Sequence, residues 1–79
     1  MLPLNPRPVR LSILDNFLID IEFNNGEKRV FDVKPYLKDK FYSSLMNKNM
    51  FKTAKLNGIT IEWANGIDFC PDEIYVNSK

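Results

Sequence analysis

The run Phe17 to Val33, FLIDIEFNNGEKRVFDV, constrains the fold more than any other stretch of the chain. Apolar Phe17, Ile19, Ile21 and Phe23 alternate with Leu18, Asp20 and Glu22, the two-residue period of a strand with one buried face. Asn25-Gly26 follows, and both residue types tolerate the positive φ that a type I′ hairpin turn demands. Beyond the turn KRVFDV alternates again, with Phe31 and Val33 on one face. An earlier strand, Val9 to Leu14, connects through Asp15-Asn16. The first half therefore reads as a three-strand antiparallel meander.

Pro35 stops this pattern, because proline offers no amide hydrogen to a ladder. From Tyr36 to Lys55 the apolar positions Leu37, Phe41, Leu45, Met46, Met50 and Phe51 recur at spacings nearer to helical turns than to strands. The same stretch is rich in Asn, Ser and Lys, which predicts short helices or turns instead of one long helix. Strand chemistry then returns: Asn57-Gly58 and Asn65-Gly66 bracket ITIEW, placing Ile59, Ile61 and Trp63 on one face with Thr60 and Glu62 on the other. That is a second meander. PDEIY, opening on Pro71 with Asp72 and Glu73 behind it, has the composition of a first helical turn.

A chain of 79 residues forms one domain and buries only about 60% of its unfolded surface, so every apolar position counts. Residues 1–8, with three prolines, read as an extended arm, and residues 9–76 as the folded body of a single domain spanning 1–79. The fold class expected is α+β: two antiparallel β-meanders with short helices packed on one side, in two layers. One cysteine and no histidine leave no internal disulfide and no zinc framework. With no signal-peptide core and no run of eighteen apolar residues, a membrane association is not expected, and the cytoplasm is the expected location.

The lack of histidine also removes an acyl-transfer triad and leaves Cys70 without an imidazole to activate it; a buried or semi-buried structural role is expected for it, with a thiol made reactive by a helix start as the alternative. Asp68, Asp72 and Glu73 could form an acid–base group or a cation site, but they lack the spacing of a calcium loop. Asp68 as a brace for the Asn-Gly turn, and Asp72 and Glu73 as helix-start residues, account for them better. Asp32, before Lys34-Pro35, reads as a turn residue, and Trp63 as a core anchor. The charge is uneven: residues 34–55 carry six lysines against one acid, whereas 56–79 carry one against four. If the middle is helical, Lys48, Lys52 and Lys55 share a face, with Lys38 and Lys40 nearby, suited to phosphates or an acidic partner.

The order of Phe23 and Gly26, Asp32, Leu45 and Phe51, then Trp63, Asn65, Gly66, Asp68, Pro71 and Tyr75, resembles the small bacterial proteins grouped as domain of unknown function 2442. The resemblance runs from about Val9 to Tyr75. It implies a compact two-layer α+β domain, found alone or in front of a helix-turn-helix domain, and genes paired in the manner of toxin–antitoxin systems. It carries over no catalytic residue and no cofactor. The reading that follows is a non-enzymatic protein-binding or regulatory module, antitoxin-like, contacting a partner or a second copy through an open sheet edge. The alternative is a small nucleic-acid-associated protein using the lysine-rich middle.

Overall fold

The alternation of the first half becomes three strands, β1 (Pro8–Ile13), β2 (Leu18–Phe23) and β3 (Lys28–Asp32), in the order β1-β2-β3 with both pairings antiparallel. The computed structural model describes residues 5–79. Residues 1–4 of the expected arm lie outside the described residues, and Pro8 already belongs to β1. Ile13 faces Ile19 and Leu11 faces Ile21 across the first pair, and the register slips by one residue between Pro8 and Arg10. Ile19, Ile21 and Phe23 of β2 are buried, with Phe31 of β3 and Val33 just beyond it, while Asp20 is exposed: the period-two pattern sets the buried face.

The turns differ from expectation. At Asn25-Gly26 only the glycine has positive φ, +90°, so the hairpin is not type I′. Gly26 N–H donates to the Phe23 carbonyl at 2.9 Å and Phe23 N–H to the Glu27 carbonyl at 2.8 Å, a type I turn closed by a glycine bulge. Trp63 to Ile67 repeats that arrangement at 2.9 and 2.8 Å, with Gly66 at φ +89°. The pair of adjacent positive-φ residues stands elsewhere, at Asn16 (62°) and Phe17 (60°) between β1 and β2.

The middle segment forms short pieces, as its composition predicts: 3₁₀ turns at Lys34–Tyr36 and Ser43–Met46, then α1 (Lys48–Phe51). Asn47 starts α1, its Oδ1 accepting from Asn49 N at 2.9 Å and Met50 N at 3.3 Å. The second meander is abbreviated. Its strands β4 (Lys55–Leu56) and β5 (Ile61–Glu62) have two residues each, and a single bridge from Glu62 to Asp68 extends it. Ile59 does not share a face with Ile61 and Trp63; it is 58% exposed. Asn57 Oδ1 accepts from both Ile59 N (3.0 Å) and Thr60 N (2.9 Å), curling the chain into a turn where a strand was expected. Thr60 is buried instead, and its hydroxyl donates to the Phe69 carbonyl at 2.7 Å.

The buried face of the large sheet meets a second layer of Leu45, Phe51, Ile61, Trp63, Phe69 and Ile74, the last from α2 (Pro71–Asn77). Trp63 is fully buried, its indole N–H donating to the Phe51 carbonyl at 3.0 Å. Tyr42 stacks on Phe69 with ring centres 4.5 Å apart. Arg29 fastens α2 to β3: its guanidinium lies 4.0 Å above the Tyr75 ring and donates to the Tyr75 carbonyl at 3.1 Å. Cys70, expected to be buried or semi-buried, is exposed, because it occupies the extended position before Pro71 while Phe69 and Ile74 on either side turn into the core.

Candidate functional site

The two sheet edges are less open than small meanders suggest. Val30 on the outer side of β3 exchanges two backbone hydrogen bonds with Lys79, both 2.9 Å, and β4 lies near β1 without joining its sheet. A groove of about 420 Å³ lies where the β1–β2 turn approaches α1, within the size range of ligand-binding clefts. Its apolar lining comes from Ile13, Leu14, Phe17 and Phe51, and its charged lining from Lys48, Lys52 and Asp15.

The wall of this groove is built from strained backbone. Phe17 is a bulky residue in the left-handed region, which costs on the order of 1–3 kcal/mol and persists only where its surroundings impose it. Three contacts impose it. Val33 N–H donates to the Phe17 carbonyl at 3.0 Å, Lys34 Nζ donates to the Asn16 carbonyl at 3.0 Å, and the Phe17 ring meets Phe51 edge-on with centroids 5.2 Å apart. Asp32 supports the second of these, accepting from Lys34 N at 2.9 Å and pairing with Lys34 Nζ at 3.1 Å. The expected turn residue thus braces the groove from behind.

Lys48 and Lys52 stand one helical turn apart in this lining, both exposed, and neither forms an ion pair among the described residues. Lys55 does not continue their face: α1 ends at Phe51 and Lys55 begins β4. The lysine face expected of a longer helix is therefore divided. The remaining singled-out residues lie away from the groove. Gly26, Trp63, Asn65 and Gly66 shape the two bulged turns and the core, and Asn65 Oδ1 accepts from Ile67 N at 3.2 Å while its Nδ2 donates to Ser44 Oγ at 2.9 Å. That brace was expected of Asp68, which is exposed and contributes only its backbone, in the bridge to Glu62. Pro71 opens α2 with Asp72 and Glu73 in its first turn.

Titratable groups shift for structural reasons. The Tyr75 hydroxyl beside Glu27, with smaller help from Asn25 and Arg29, holds the Glu27 carboxyl below its usual value, and the same contact raises Tyr75. Burial, with Glu73 nearby, raises the phenols of Tyr36 and Tyr42. None of these groups lines the groove. Among the described residues no three His, Cys, Asp or Glu side chains gather to hold a metal ion, and no helix is long and apolar enough to cross a membrane. Sequence reasoning reached the two groove lysines but missed Asn16 and Phe17; the only signal was Asp15-Asn16 before an aromatic residue, which marks a turn without its handedness.

Comparison with curated proteins and with solved structures finds no match. A family model does match, over residues 8–79, nearly the whole folded body. The spaced residues from Phe23 to Tyr75 and that match agree, and the chain belongs to the family described as Protein of unknown function (DUF2442).

Proposed function

We propose that the chain is a non-enzymatic module that binds another protein through the groove between the β1–β2 turn and α1, and that it regulates that partner in the manner of an antitoxin. The observation that carries this reading is the strained Asn16-Phe17 pair, held left-handed by contacts from Val33, Lys34 and Phe51 and lining a groove with Lys48 and Lys52, which form no ion pair among the described residues. Strain maintained in this way is characteristic of binding sites. An apolar wall with a charged rim is also the anatomy of a small protein contact.

The division of the lysines between α1 and β4, and the presence of Asp15 in the groove, favour a protein over a nucleic acid, whose phosphates need an unbroken basic track. Affinity capture from the native host, run with the wild-type chain and with Leu14→Ser, tests the reading. Leu14 is 39% exposed at the groove, so its loss removes apolar wall without opening the core. A partner retained in fixed stoichiometry by the wild type and lost with Leu14→Ser is the expected result. Equal retention by both chains, or a wild type that retains nothing, contradicts it.

A further inference from the structure

We infer that the groove receives an extended, acidic segment of the partner, one that seats a bulky apolar side chain against Phe17 and sets carboxylates on Lys48 and Lys52; this rests on the protein-binding reading of the same groove. The spacing is the first support. Side chains four apart on a helix stand about 5–6 Å apart at Cβ. Alternate residues of an extended strand stand about 7 Å apart on one side, so two carboxylates at such positions meet the two lysines together. Lys48 lies in α1 and Lys52 caps it with helical backbone, so both belong to one turn.

Charge is the second support. The groove's lysines belong to a segment with six lysines against one acid; among the described residues neither Lys48 nor Lys52 forms an ion pair, and Asp15, the one acid lining the groove, leaves it with a net positive charge. Such a field steers an acidic segment towards the groove. The apolar wall of Ile13, Leu14, Phe17 and Phe51 gives that segment an anchor beyond its charge.

A second copy of the chain is the natural rival, since residues 56–79 are acidic. Two exposed apolar side chains there stand near acids: Val76, one turn past Asp72 and Glu73 in α2, and Ile59, next to Asp72 with Arg7 on the same surface. Arg7 would meet the lysines as a like charge. Such a contact would also be head-to-tail, and head-to-tail contacts propagate into rings or filaments. A separate partner has neither difficulty.

Immobilised random heptapeptides test the inference, probed with the wild type, with Leu14→Ser, and with the double variant Lys48→Glu, Lys52→Glu. Both lysines are exposed and make no side-chain bond within the fold, so the double variant should melt like the wild type. The expected result is enrichment of peptides that carry one bulky apolar residue with Asp or Glu at nearby alternate positions. Retention should fall about tenfold in the double variant and with rising salt. Peptides without acidic preference, retained equally by the double variant but lost with Leu14→Ser, overturn the acidic assignment and leave the groove reading standing. No retained peptide, or retention unaffected by Leu14→Ser, overturns both. Single-stranded DNA held in place of peptides and released by the double variant assigns the lysines to nucleic acid. Concentration-dependent association of the chain alone, abolished by the double variant, assigns them to a second copy; either result contradicts the inference.

Discussion

Trp63 is fixed twice, by complete burial and by the hydrogen bond from its indole to the Phe51 carbonyl. Trp63→Phe keeps an aromatic ring but opens a void and leaves that carbonyl only the longer bond from Ala54 N–H at 3.4 Å, and should cost about 2–4 kcal/mol in chemical denaturation. A domain of this length has roughly 4–12 kcal/mol in total, so the variant should sit near its folding threshold. Gly66 offers a cleaner test of backbone geometry. A Cβ added there meets nothing within 4 Å, so any loss on Gly66→Ala comes from the left-handed φ alone, about 1–2 kcal/mol by the same measurement. At Glu27 the native carboxyl is held below its ordinary value of 4.5, so the native state favours the ionised form. Its stabilisation is complete above that ordinary value and is lost as pH falls through the lower native one. Glu27→Gln should therefore flatten the fall in melting temperature across that acid window and leave the slope near neutrality unchanged.

Among the elements, β2 and β3 were legible because Ile19, Ile21 and Phe23, then Phe31 and Val33, recur with period two and so set the buried face, despite apolar Leu18 and Val30 on the other side. Pro71 with two acids likewise marked the start of α2. The second meander was legible only in outline. Asn57 has two equally local uses, as a hairpin residue and as a side-chain acceptor for the amides of Ile59 and Thr60, and the second prevails. Alternation therefore failed at Ile59 and Thr60, whose burial is the reverse of the pattern. The short α1 misled in another way: spacing places Lys48, Lys52 and Lys55 on one helical face, but α1 ends at Phe51, where Thr53 N–H and Ala54 N–H turn back to the Met50 and Phe51 carbonyls before the third lysine. Handedness at Asn16-Phe17 was invisible because tertiary contacts impose it, from Val33, Lys34 and Phe51, each remote in sequence.

For the whole molecule, two layers of packed aromatics carry the fold, and the groove is assembled where three parts of the chain converge: the β1–β2 turn, the start of the middle segment and α1. The exposed Cys70 is not among the residues that line the groove. The proposed recognition role rests on the groove's apolar side chains beside Lys48 and Lys52, which form no ion pair among the described residues. The most direct measurement is a backbone amide chemical-shift titration of the labelled chain with the captured partner. Changes should concentrate in residues 13–17 and 48–52 and be absent from the same titration of Leu14→Ser. Changes centred on α2 or on the outer side of β3, with residues 13–17 unmoved, would contradict the account.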